Sequence, residues 1–435
     1  MITTIIIAGL TFLGISVSVL LFPHIRIKNI KIDTYWIIAL VGALILVATT
    51  LCPLEEIKTA WLSSTAVNPL KILVLFFSMT ILSIYLDELG LFKYLATVAV
   101  NKAKGHQHVL FFVLYFLVAI LTVFTSNDIV ILTFTPFICF FCKHAKIKAL
   151  PYLIAEFVAA NTWSMMFIIG NPTNIYLATS AGITFIGYFK VMLVPTIAAG
   201  AIELLILFLL FRKQLKEPIK NDEEQLEVHI ESKPDLIIGA LHLLVCLVFL
   251  IISPYINVEM WLIAVICAGS LLLCSFILRL ITKKEWIYLG DCFKRLPYQL
   301  IPFILSMSIV VICLNYQGIA SKIGDILNHG YLIFNYGVSS FLFANIINNI
   351  PMSILFSNIP VALTNGEYLK ATYASIIGSN IGAFLTPIGA LAGIMFSNLL
   401  NKYDMHFSFL DFIKYGAIIS LPVLAISLVT LALFI

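Results

Sequence analysis

The chain has 435 residues, 61% of them hydrophobic and 11% charged, with a formal net charge of +4 and a mean hydropathy of +1.06. Soluble domains carry roughly 45–50% apolar and about 25% charged residues, so this surplus needs lipid to cover it. A single soluble core, a secreted disulfide scaffold and a nucleic-acid binder are excluded. At about 20 apolar residues per transmembrane helix there is room for about ten spans.

In chain order, apolar windows place spans near 2–22, 35–52, 70–86, 150–186 (interrupted), 188–211, 236–253, 261–278, 298–316, 371–399 (interrupted) and 410–433. Met1 to Phe22 is expected to remain as a span, since it has no basic n-region and no small-residue cleavage site. Two further stretches, 108–142 and 331–363, are too long for one helix and carry polar breaks at Thr125-Ser126-Asn127-Asp128 and at Asn348-Asn349. A break at bilayer depth is tolerated only under cover of protein or a water-filled cavity, so both stretches are read as re-entrant hairpins. The segment 212–235 mixes both charge signs without apolar periodicity and reads as a linker.

Charge sets the orientation. The segments 24–34, 101–107, 143–149, 212–235, 279–297 and 401–408 hold 19 of the 26 basic residues, and Lys93 and Lys414 abut them. The opposite side keeps five: Lys58, Lys71, Lys190, Lys322 and Lys370. By the positive-inside rule the rich side is cytoplasmic, the linker included, and both termini are extracytoplasmic. The expected location is the plasma membrane. The eight cysteines form no paired framework, and Cys139-x-x-Cys142 reads as two buried thiols on adjacent turns. No metal site and no cofactor is expected.

An internal repeat organises the chain. Ser78-Met79-Thr80-Ile81 followed by Gly90 recurs as Ser306-Met307-Ser308-Ile309 followed by Gly318, at an offset of 228. Asn127-Asp128-Ile129 recurs as Asn348-Asn349-Ile350, and Asn161 with Gly170 as Asn380 with Gly389. Five spans per half is an odd number, so the halves 1–211 and 236–435 must be inverted relative to each other. The expected fold is therefore an all-α polytopic membrane protein of about ten transmembrane helices in two inverted five-helix repeats, each with a re-entrant hairpin and a broken helix. That is the plan of secondary transporters, with the site near the midplane at the broken helices. A membrane enzyme has no positive support, since no nucleophile–base pair or ligand cluster emerges from the spans.

The candidate site gathers four breaks. They are Ser126, Asn127 and Asp128; Asn161, Thr162, Gly170, Asn171, Thr173 and Asn174; Asn348 and Asn349; and Ser379, Asn380, Thr386 and Gly389. Half-helix N-termini there point partial positive charge at a ligand, freed carbonyls can coordinate a cation, and asparagine and threonine supply neutral donors and acceptors. No lysine or arginine lies in any break. Asp128 is the candidate coupling group, because an intramembrane carboxylate is costly and its repeat partner is the neutral Asn349. Glu156 is a candidate proton relay. Glu203 reads as an inter-helix contact, Asp87 and Glu88 as a solvated helix end, and His242 as structural.

These motifs resemble the ion-transporter superfamily that includes bacterial arsenite/antimonite permeases, sodium/proton antiporters of the NhaD type and dicarboxylate/sodium symporters. Thr125 to Pro136 (TSNDIVILTFTP) resembles the "TND…ILTP" hairpin of the arsenite permeases. Ile377 to Leu391 (IGSNIGAFLTPIGAL) and the closing Tyr415 to Leu433 are similar to their final broken helix and last span. The resemblance implies that Asn127, Asp128, Asn380, Thr386 and Gly389 line the transport site. It also implies a homodimer in which a transport domain slides against a fixed scaffold. Asn161 and Asn380 depart from the acidic residues of the arsenite permeases, and Gly170-Asn171-Pro172-Thr173-Asn174 resembles the glycine-x-proline-x-asparagine loop of the sodium-coupled branches.

The function expected is secondary active transport of a small inorganic or small-anion substrate with H+ or Na+ as coupling ion. Proton-coupled efflux of arsenite or antimonite by an elevator mechanism leads; sodium/proton antiport and sodium-coupled di- or tricarboxylate symport are the alternatives. The partners are membrane lipid and a second copy of the chain. An ATPase subunit at the cytoplasmic loops stays open as a third, and nucleic acid is not a partner.

Overall fold

The computed structural model describes residues 1–435 except 23, 28–29, 64–67, 104, 220–229, 283–286, 360–362, 404 and 406. Most of the linker's centre, parts of four other basic loops and the end of the second hairpin stretch thus lie outside the described residues. Two short strands, β1 (His24–Ile27) and β2 (Ile30–Asp33), pair antiparallel with His24 opposite Asp33. This pair adds to the all-α expectation, and its cause is legible in the alternation of isoleucine with polar residues, the period of a strand. Among the described residues, everything else regular is helical.

The first half runs α1 (Ile2–Leu21), α2 (Thr34–Ala48), α3 (Leu54–Leu62), α4 (Pro69–Glu88), α5 (Leu91–Lys102), α6 (Gln107–Phe124), α7 (Asn127–His144), α8 (Leu150–Trp163), α9 (Pro172–Ser180) and α10 (Phe185–Phe211). The second runs α11 (Lys233–Ile256), α12 (Met260–Thr282), α13 (Ile287–Lys294), α14 (Leu300–Tyr316), α15 (Ile319–Leu327), α16 (Leu332–Ile347), α17 (Asn349–Phe356), α18 (Asn365–Gly382), α19 (Leu391–Lys402) and α20 (Phe409–Phe434). Among the described residues, seven helices are long and apolar enough to cross a membrane: α1, α4, α6, α10, α11, α12 and α20. The pair α14–α15 makes an eighth, bent by 76°. Leu10 and Leu13 on α1, Leu241 and Leu244 on α11, and Ile266 and Leu273 on α12 are exposed. Side chains of this kind on spans of this length face lipid.

Packing divides the helices into two groups. One contains α1, α2 and α4 with α11, α12 and α14; the other contains α6 to α10 with α16 to α20. Contacts recur in pairs: α2 packs on α14 as α12 packs on α4, α9 on α17 as α19 on α7, and α8 on α10 as α18 on α20. The short helices α5 and α15 bridge the groups. Each starts from a glycine in the left-handed region, Gly90 at φ +84° and Gly318 at φ +71°, a conformation that costs any other residue steric strain.

Asp87 and Glu88, expected at a solvated helix end, are instead gripped by Arg295, whose Nη2 lies 2.7 Å from Asp87 Oδ2. The Thr133 hydroxyl on α7 donates to the same Asp87 oxygen at 2.6 Å. A partner more than 200 residues away in sequence, which no local reading supplies, brings the carboxylate out of water.

Candidate functional site

The first break lies between α6 and α7. Thr125 leaves helical geometry (φ −128°, ψ −149°), and Ser126 occupies the N-cap of α7 without capping it through its side chain. The N–H groups of the first turn of α7 are left to face a ligand, the positive end of the helix dipole. Asn127 Nδ2 donates to Asn161 Oδ1 at 3.1 Å, and Asn161 Nδ2 donates back to the Phe157 carbonyl at 2.8 Å. Asp128, in the same first turn, is half-buried.

Helix α8 stops at Trp163, and the chain turns through a short 3-10 segment, Ile168–Gly170, before α9. A Cβ at Gly170 would overlap the Ser164 carbonyl, so only glycine lets the loop close. Asn171 caps α9, its Oδ1 accepting from the Thr173 N–H and Oγ1, both at 3.1 Å. Asn174 Nδ2 donates to the Ser164 carbonyl at 2.8 Å.

Asn380, from α18 in the other half, plugs this loop. Its Oδ1 accepts from Asn171 Nδ2 (2.9 Å) and Ser164 Oγ (3.0 Å), and its Nδ2 donates to Asn174 Oδ1 (2.6 Å) and the Ile376 carbonyl (2.8 Å). Four bonds use all that an asparagine side chain offers in this plane. Ser164 Oγ also lies 2.7 Å from the Asn161 carbonyl, so a single polar chain runs from the first hairpin tip through the broken helix into the second half.

The second tip is built differently. Asn348 sits at φ +73°, ψ 152°, a region populated almost entirely by glycine. Its Oδ1 accepts from the Ile350 N–H at 3.2 Å and its Nδ2 donates to the Ile388 carbonyl at 2.9 Å, while the Asn349 N–H donates to the Gly389 carbonyl at 3.1 Å. Thr386 Oγ1 donates to Asn345 Oδ1 at 2.7 Å, and Asn345 Nδ2 reaches the Phe341 and Gly382 carbonyls. A Cβ at Gly389 would stand 2.5 Å from the Gly382 carbonyl.

Asn127, Asn161, Asn171, Thr173, Asn174 and Asn380 therefore meet in one hydrogen-bonded cluster, joined by Ser164, which was not anticipated. Asn348, Asn349, Thr386 and Gly389 form a second cluster around Asn345, also not anticipated. Ser164 falls between two flagged segments and Asn345 lies three residues before a flagged one, the only signals that could have found them. Glu156 stands apart from both tips. Its carboxylate takes Thr135 Oγ1 at 3.1 and 3.2 Å, eight residues along α7 from Asn127 and so roughly 12 Å down the helix axis. Thr162 turns toward Glu203 on α10. Four flagged side chains keep a buried oxygen with no partner: Ser126 Oγ, Asn127 Oδ1, Thr162 Oγ1 and Ser379 Oγ. Buried polar atoms are paired nearly everywhere in folded proteins, and exceptions call for an explanation.

Lipid-facing helices around facing hairpins and broken helices, with neutral polar groups at the breaks, define the class of protein as a membrane transporter. Residues 34–372 match the family described as citrate transporter (CitMHS), and the chain belongs to that family, within the ion-transporter superfamily that its motifs resemble. Similar proteins include an arsenical pump membrane protein of Escherichia coli, 27% identical over 419 residues, covering 91% of this chain and 92% of that one. The arsenical pump membrane protein of Escherichia coli strain K12 is 30% identical over 376 residues, covering 82% and 85%. That of Yersinia enterocolitica is 29% identical over 375 residues, again covering 82% and 85%. Among solved structures, the Alcanivorax borkumensis YdaH transporter superposes with a TM-score of 0.54 at 14% identity, covering 99% of this chain and 97% of that one, a likeness of fold.

Proposed function

We propose that the chain exports a small neutral oxyacid, arsenite or antimonite, across the plasma membrane in exchange for protons. The observation that most supports this is the first hairpin tip. Asn127 Oδ1 is a buried acceptor without a donor, Ser126 Oγ is unpartnered beside it, and the half-buried Asp128 carboxylate adds further acceptors. A solute carrying several O–H groups supplies the donors this set lacks, whereas an ionised carboxylate group brings acceptors only. The relatives named arsenical pump membrane proteins point the same way.

In this reading Asp128 exchanges a proton for substrate, and Glu156 relays it along α7. Residues 1–211 and 236–435 are inverted repeats joined by the cytoplasmic linker 212–235, with both termini outside. The matching order of α1–α10 and α11–α20 supports that division. The group of α6–α10 and α16–α20 is the moving body, carried on α5 and α15 past a scaffold that dimerises.

A second reading is sodium-coupled carboxylate symport. It is favoured by the family match, and by the fact that the same oxygens at the first tip suit a sodium ion. Everted vesicles carrying a respiration-generated pH gradient separate the two readings. Trivalent arsenic alone is expected to collapse the gradient in wild type and not in Asp128→Asn. Collapse on sodium, or silence to arsenic with sodium-dependent citrate uptake, would sink the export reading.

A further inference from the structure

Glu203 lies in the middle of α10 and is fully buried, at 0% exposure. Neither carboxylate oxygen has a hydrogen-bond partner. The hydroxyls of Thr162 on α8 and Tyr115 on α6 bear on it without completing a hydrogen bond. Tyr115 is already committed: it donates its one hydrogen to the Gly200 carbonyl at 2.9 Å and accepts from Trp163 Nε1 at 3.1 Å. That leaves a single hydroxyl, Thr162 Oγ1, itself unpartnered, beside a group that as an anion would want several donors.

The surroundings supply no counter-charge. Among the described residues, no lysine, arginine or histidine bears on Glu203. The titratable groups of α20, which packs along α10, are Asp411, Lys414 and Tyr415 near its start, and Tyr415 meets α10 only at Phe211, eight residues beyond Glu203. On α11, Asp235 is occupied with Arg279 and Tyr85, His242 with the Ile238 carbonyl and Cys246 with Met79, while Lys233 and Tyr255 stand at the two ends of the helix. Glu156 on α8 is bound to Thr135 of α7. A buried charge left unpaired in this way is strongly destabilising. Nor does the helix need an acid for packing, since its counterpart α20 buries only serine and apolar residues along the same length.

We propose that Glu203 is a further proton site, a neutral carboxylic acid in the conformation described, which releases its proton when water reaches α10. Thr162 follows Asn161, the residue that holds Asn127 at the first hairpin tip, so the protonation state of Glu203 bears on the substrate site through one residue of α8. The link to coupling rests on the transport reading above; the protonation itself does not.

Infrared spectroscopy of the full-length purified protein tests it. At neutral pH, a deuterium-sensitive protonated-carboxyl band is expected, present in Asp128→Asn and Glu156→Gln and absent in both Glu203→Gln and Glu203→Met. Glu203→Met is further expected to melt no lower than wild type, because replacing an unpaired buried polar group with an apolar one of similar shape is neutral or stabilising. A band that persists without Glu203, or a large fall in melting temperature in Glu203→Met, would overturn the proposal. Wild type that moves no arsenic in vesicles would sink the export reading and leave the band to be read as before.

Discussion

The two hairpin tips hold matching places in the chain and use their polar groups in opposite ways. At the second, Asn348 and Asn349 bind the backbone of the facing loop at Ile388 and Gly389, and the Asn348 side chain spends both its oxygen and its nitrogen on backbone. At the first, Asn127 makes one side-chain bond and leaves its oxygen bare, Ser126 makes none, and a carboxylate replaces the neutral amide. On the proposed function, a tip whose Asn348 side chain is spent on its own backbone acts as a clasp, and a tip with orphaned acceptors acts as a receptor. The difference teaches that matching sequence positions in the two halves set where the breaks fall, while single side-chain choices decide which of them keeps unpartnered polar atoms.

The sharpest way to break this comparison is to make the tips alike. Asp128→Asn gives the first tip the amide of the second, and proton-coupled flux in everted vesicles is expected to fall to background at normal expression. The reverse change, Asn349→Asp, is expected to give no new coupling, because that residue engages the loop through its backbone. Undiminished flux in Asp128→Asn would remove the distinction between receptor and clasp.

Next come the glycines that let each loop close. Gly170→Ala and Gly389→Ala each drive a Cβ into backbone carbonyls. Overpacking typically costs about 1–3 kcal/mol, and more where only backbone can give, so both should lower the melting temperature and yield clearly. Similar losses in the two variants would mean that the breaks are equally rigid although only one is a receptor. A silent substitution at either would refute the close approach described there.

A middle-sized effect separates pin from ligand. Asn380→Ala removes four bonds and leaves Asn171 Nδ2 and Asn174 Oδ1 without their partner inside the protein. At about 1–3 kcal/mol for a buried group left unsatisfied, it should cost more stability than Asn127→Ala, which loses one bond worth about 1 kcal/mol. The order should invert for transport, with Asn127→Ala the more damaging in flux per folded protein. Thermal melts and vesicle flux on the same two variants check both halves of the statement.

The contrast also marks what could be read from sequence. Polar residues interrupting apolar stretches disclosed both tips and both broken helices, because lipid leaves so little reason for an asparagine there. The amphipathic helices α3, α5, α13 and α15 escaped, being too short and too polar for an apolar window. The saturation of Asn380 could not be read either, since three of its four partners lie 206 to 216 residues away and only folding brings them within reach. For the same reason Asp87 passed for a solvated end. Which breaks exist is a local property of the chain; which remain open is a property of long-range pairing.

The smallest expected effect comes from strain at the clasp. Asn348 is held at φ +73°, where a non-glycine residue costs about 1–3 kcal/mol. Its two side-chain bonds, at about 0.5–1.5 kcal/mol each, are of the size needed to hold it there. Asn348→Gly removes the strain and the bonds together and should melt close to wild type. Asn348→Ala keeps the strain and loses the bonds, and should melt lower than both. If instead the glycine variant falls as far as the alanine variant, the side-chain bonds alone hold the second tip, and its backbone stores nothing that the first tip lacks.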